Sequence, residues 1–156
     1  MTTTARVTPV GIRLDDGFST KLTFAADPDV SFWERTVTPP GIDGGDAIET
    51  STMHNTTWRT MAARSLKSLT DASVTAAYDP NVYSQIVALV NVEGWITCLF
   101  PNGDTLDFCG YLKSFTPGEN AEGNMPEADI TIICTNKDAL TGVETAPVFT
   151  AASSAT

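Results

Sequence analysis

Of the 156 residues, 42% are hydrophobic and 18% charged, enough apolar side chain for one core burying roughly 70% of the unfolded surface, which excludes a disordered chain. Nine Lys and Arg against nineteen Asp and Glu leave a formal net charge of −10, the wrong sign for a protein that grips nucleic acid. Nothing near the start resembles a signal peptide and no apolar run reaches the roughly 18 to 20 residues that span a bilayer, so a soluble chain made in a reducing cytoplasm is expected.

Asp15-Asp16-Gly17 reads as a turn. Ser19 to Ala25 alternates apolar and polar residues at the period of a half-buried strand, and Ser31 to Thr38 is a second candidate. Residues 38 to 60, TPPGIDGGDAIETSTMHNTTWRT, then match neither helix nor strand. Loops beyond about 12 to 15 residues are uncommon in compact domains unless functional. Ordering twenty residues costs on the order of 20 to 40 kcal/mol of backbone entropy, which an isolated loop has few contacts to offset. The segment is therefore expected to be either mobile in the monomer or fixed by another chain, and its charges favour the second. Its acidic residues, Asp43, Asp46 and Glu49, precede its basic ones, Arg59, Arg64 and Lys67, a layout suited to a head-to-tail meeting of identical copies.

Leu66 to Leu69 and Ala72 to Tyr78 read as strands, the second with Val74, Ala76 and Tyr78 on one side. Asp79 then offers an N-cap and Pro80 a first helical turn. Val82, Ile86, Leu89 and Val90 follow on one face of a helix ending near Asn91. Gly94 to Phe100 and Thr105 to Phe115 flank Pro101-Asn102-Gly103-Asp104, predicting a hairpin with a two-residue turn. Paired residues then sum to 205, setting Cys98 opposite Asp107 and Cys109 opposite Ile96. One face carries Trp95, Thr97, Leu99, Leu106, Phe108 and Leu112, the other Ile96, Cys98, Phe100, Cys109, Tyr111 and Phe115. Both are largely apolar, so cover on both sides is expected. A polar turn from Pro117 to Pro126 leads to a strand over Glu127 to Thr135, and order is expected to stop near Phe149. One domain over 1–150 with a loose tail at 151–156 follows. Many short strands and one short helix give the fold class: mainly β, a β-sandwich or barrel.

A search for chemistry finds no catalytic set. His54 is the only histidine and no nucleophile motif accompanies it, so no enzyme is expected. Asp43, Asp46 and Glu49 lack the spacing of a calcium loop, and Gly44-Gly45 lacks the lysine of a phosphate loop, so neither metal nor cofactor is expected. Cys98, Cys109 and Cys134 read as buried thiols. Trp33, Trp58 and Trp95 leave open a monomeric carbohydrate-binding sandwich, although a strand Trp more often belongs to a core.

The run TPPGIDGGDAIETSTMHNTTWRTMAARSLKSLTD, followed by AAYDP and FPNGDTLDFCGYLKSFTPGE, resembles the major tail tube protein of long-tailed (siphovirus-type) bacteriophages. The likeness runs from about Phe24 to Pro147 in the order glycine-rich loop, Arg-bearing segment, strand, Asp-Pro helix start, hairpin and final strand. The resemblance implies a structural virion protein, made in the host cytoplasm and built into stacked hexameric rings that form the tail. Through their hollow tube double-stranded DNA is ejected without specific binding. It implies partners in other copies and in the tape measure, tail terminator and tail tip proteins. The chain is too short for the extra immunoglobulin-like domain of some relatives. By the same resemblance Pro40 to Arg64 is the inter-subunit loop, with Pro40, Gly41, Ile42, Asp43, Gly44, Gly45, Asp46, Glu49, Met53, Trp58, Arg59, Arg64 and Lys67 its candidate contacts. Glu93 and Asp107 are candidate carboxylates of an acidic lumen. A ring subunit of a contractile secretion machine, which shares the general fold, is the related alternative.

Overall fold

A computed structural model describes residues 17–30 and 32–152. Asp15 and Asp16 of the expected turn, Ser31 of the expected second strand, the Val82 side chain and residues 153–156 lie outside the described set. The strands are β1 (Lys21–Phe24), β2 (Trp33–Thr38), β3 (Ile42–Asp43), β4 (Ile48–Glu49), β5 (Met61–Ala62), β6 (Ser68–Leu69), β7 (Ala72–Ala77), β8 (Gly94–Leu99), β9 (Thr105–Pro117), β10 (Glu127–Cys134) and β11 (Val148–Thr150). A 3-10 turn over Pro80–Val82 leads into α1 (Tyr83–Leu89). The fold is the expected one, mainly β with one short α-helix.

The principal sheet is antiparallel, in the order β1-β8-β9-β10-β7-β2, with β11 on the first part of β9. It curls until its edge strands approach: the Leu22 amide of β1 donates to the Glu34 carboxylate of β2 at 3.2 Å. Side chains alternate across each strand, so one set of positions points into the curl. Leu22 and Phe24, Ala72, Val74 and Ala76, Ile96 and Cys98, Phe108 and Leu112, and Ile130 and Ile132 are buried there. The helix closes the core with Ile86 and Leu89. Its start follows from local chemistry: the Asp79 carboxylate accepts from the Asn81 amide at 3.0 Å, and Pro80 needs no amide partner at a first turn. Its end is the left-handed Asn91, with φ of 65°.

The hairpin register differs from expectation by one residue. Thr97 faces Asp107, Cys98 faces Leu106 and Trp95 faces Cys109, so paired numbers sum to 204. The loop has three residues, 101–103. The Phe100 amide donates to Asp104 O at 2.9 Å and the Gly103 amide to Phe100 O at 3.0 Å, with Gly103 at φ +92°. Pro101 explains the change, because a two-residue turn needs an N–H there to complete its closing pair, and proline has none. A one-residue shift exchanges faces. Ile96, Cys98, Leu106, Phe108 and Leu112 therefore share the core side, while Trp95, Thr97, Leu99, Asp107, Cys109 and Tyr111 point out. Cys98 and Cys109 lie on opposite faces. All three cysteines are free thiols, two buried and Cys134 half-buried.

On the hairpin the outward side keeps Trp95, Leu99, Cys109 and Tyr111, with Cys109 buried, but the rest of the sheet differs. The outward side is hydroxyl-rich over β2, β7, β10 and the second half of β9, where Thr36, Thr38, Ser73, Thr75, Ser114, Thr116 and Thr131 alternate with the core residues.

Candidate functional site

The largest departure from expectation is the glycine-rich segment. It is an arm in which the antiparallel β2–β7 pairing continues beyond the sheet. Past Thr38 opposite Ser73, the Gly41 amide donates to Thr70 Oγ1 at 2.8 Å and the Thr70 amide returns to Gly41 O at 2.9 Å. β3 pairs β6, Ile42 with Leu69 and Asp43 with Ser68; β4 pairs β5, Ile48 with Ala62 and Glu49 with Met61. Between these pairs four residues, 44–47, stand against five, 63–67, so the register slips by one with the extra residue on the returning side. There Gly45 takes φ +79° and its amide donates to the Asp43 carboxylate at 2.8 Å. Arg64 Nε holds the outer part across the slip through Asp46 O at 2.7 Å. Sequence reading placed β6 within its Leu66 to Leu69 strand but missed β3, β4 and β5, because two-residue pairs have no room for alternation. The available signal was the pair of β-branched residues Ile42 and Ile48, each opposite a short run before β7.

The tip is built around Asn55. Its Oδ1 accepts from the Thr52 amide at 2.9 Å and its Nδ2 donates to Trp58 O at 2.7 Å. The Thr50 amide closes onto Thr60 O at 2.8 Å below it. Thirteen residues lie between Gly41 and Asn55, a reach of up to about 45 Å at full extension.

Almost nothing on the arm is buried. Ile42, Ile48, Met53, Trp58, Met61 and Leu66 are all exposed, Met53 fully and Trp58 and Leu66 at 81%. Of the arm, Leu69 at its root packs against the core cluster. Six large apolar side chains thus stand in water along one hydrogen-bonded ribbon, more than singly scattered surface residues account for. Covering each contributes about 1.5 to 3 kcal/mol.

The charges are arranged differently from the expected separation. Folding the segment back on itself sets the basic half beside the acidic half: Arg59 lies 4.0 Å from Glu49, and Arg64 bonds the Asp46 carbonyl. The arm is therefore mixed in sign along its length rather than negative at one end and positive at the next. His54 is exposed at the tip, its amide bonded to Thr52 Oγ1. Among the described residues no three His, Cys, Asp or Glu side chains gather as metal ligands.

The remaining candidates lie on the main sheet. Asp107 points outward from β9 and accepts from Thr97 Oγ1 at 2.5 Å. Glu93 precedes β8 and pairs with Lys137 at 3.6 Å, so the two are not neighbours in one cluster. Sequence reading missed Asp129, exposed on β10 and bonded to Thr75 Oγ1 at 3.3 Å, on the same outward side as Asp107. The three tryptophans are distributed: Trp33 on β2, Trp58 at the arm tip and Trp95 opposite Cys109.

No protein-family model matches the sequence, and a comparison with curated proteins finds no match. Solved structures do match in shape. A chain of the virion of a native gene transfer agent particle superposes with a TM-score of 0.60 at 10% identity, over 88% of this chain and all of that one. A chain from the tail of an empty particle of the same kind, with C6 symmetry, gives 0.60 at 9%, again over 88% and 100%. It shares their fold. A chain of the six-fold symmetrised baseplate of the anti-feeding prophage gives 0.54 at 8%, over 78% of this chain and 92% of that one. At such identity the likeness resides in strand order and the burial pattern, which many sequences satisfy.

Proposed function

We propose that this chain is a structural subunit of a phage-type tail, assembling with copies of itself into stacked six-fold rings around a hollow bore. The observation that carries the reading is the arm: a hydrogen-bonded ribbon projecting from the sheet, with six large apolar side chains exposed to water. The shared fold with chains of a C6 tail supports it. Copies are the partners, with the arm residues from Pro40 to Lys67 as contacts. Tape measure, terminator and tip proteins bound the stack, and the assembled tail is its place in the virion. A ring subunit of a contractile injection machine is the second reading, favoured by the baseplate likeness.

The hydroxyl-rich outward face, with Asp107 and Asp129, serves in this reading as the bore lining. A net charge of −10 and a wall presenting hydroxyls and carboxylates give phosphate little to hold, so DNA slides through. The test is electron microscopy of the purified chain across a concentration series. Rings or tubes are expected; a monomer at every concentration overturns the proposal.

A further inference from the structure

We infer that the arm tip of one copy seats in a groove at the arm root of the next. This rests on the self-assembly reading and names the contact that performs it. The groove, of about 280 Å³, lies where the root meets the segment before β11, with Ile42, Leu66 and Pro147 among its walls and Lys67 and Glu144 in its lining. Ile42 and Leu66 are 73% and 81% exposed, so the groove is an open apolar site.

The occupant is identified by shape and charge. A tip bearing Met53 and Trp58 on a turn fixed by Asn55 is a preorganised apolar knob, so seating it loses little conformational freedom. Its own groove is out of reach, because the paired ribbon holds the tip tens of ångströms from the root. The flanks match as well. The tip carries Glu49 and Arg59, loosely paired at 4.0 Å with side chains 52% and 83% exposed. The groove carries Lys67 and Glu144. Seating sets Arg59 against Glu144 and Glu49 against Lys67, replacing one long pair with two complementary ones. Knob and groove are different patches of the same chain, so each copy offers both, and the contact propagates from copy to copy.

Covalent trapping tests the contact. In a Cys134→Ser background, which removes the half-buried native thiol, a Met53→Cys/Ser65→Cys variant oxidised under assembly conditions is expected to give a ladder of covalent multimers, whereas each of the two cysteines alone stops at dimers. Arg59→Glu is expected to raise the concentration at which rings appear at least tenfold, and adding Glu144→Arg to restore it to within about threefold. Urea denaturation confirms that the variants fold. Rings without a ladder, or no restoration by the second substitution, overturn the seating while leaving self-assembly standing. A wild-type chain that never assembles overturns both.

Discussion

Cys98 shows how one residue carries the consequences of the register. On the core side it is fully buried, and its thiol is pushed from 9.0 to about 11, first by burial and then by the Glu34 carboxylate. The native state thus disfavours the thiolate. Stability from this group is fully present below pH 9 and is lost progressively as pH rises toward 11, because the unfolded chain releases the proton first. The loss is on the order of 2 to 3 kcal/mol. Urea midpoints at pH 8, 10 and 11 are expected to fall, and a Cys98→Ala variant to fall less steeply over the same interval. Burial at this position was legible in the sequence, since Cys98 lies two residues from Ile96 and from Phe100 on one side of an evident strand. Its partner was not: Asp107 was expected opposite, and Leu106 stands there, because the missing N–H of Pro101 outweighed the Asn-Gly signal.

Among the elements, those that build the core were the readable ones. β7 alternates buried Ala72, Val74 and Ala76 with outward Ser73 and Thr75, and α1 follows an Asp-Pro start whose capping chemistry is local. Of the arm, the return strand at Leu69 was readable within the run Leu66 to Leu69, whereas β3, β4 and β5 were not, because they are two residues long and bury nothing that would leave a period. The existence of the arm as an unusual segment was readable, since length and glycine content alone set it apart. β11, three exposed residues pairing β9, left no periodic trace either. The arm's construction yields a prediction about motion. Ribbon pairs with no buried side chains open with little cost, so amides 41–52 are expected to exchange much faster in the dissociated chain than those of β7 to β10, and to gain protection on assembly. Exchange followed by mass spectrometry checks this. Equal protection of arm and sheet before assembly contradicts it.

For the molecule as a whole, sorting of side chains by face is the property with functional reach. Hydroxyls and the carboxylates of Asp107 and Asp129 share the side away from the core, a grouping that appears only once the register of β7, β9 and β10 is known. An Asp107→Lys/Asp129→Lys variant alters that side by four charge units per copy while leaving every core contact in place. On the proposed tail reading its assemblies are expected to retain double-stranded DNA at low salt and release it steeply as salt rises, and wild-type assemblies to leave it free. Gel mobility of DNA over a salt series reads the difference, and unchanged mobility with the variant removes this face from the path.

The bond between Leu22 and Glu34 has a mechanical meaning. Among the described residues, β1 and β2 share no ladder, so the wall is a slit cylinder stitched there by a side chain. Slit cylinders are compliant in torsion where closed ones are stiff. Twist applied to a subunit is therefore expected to slide the two edges past one another, with the single bond to Glu34 yielding before the multi-bond ladders between paired strands.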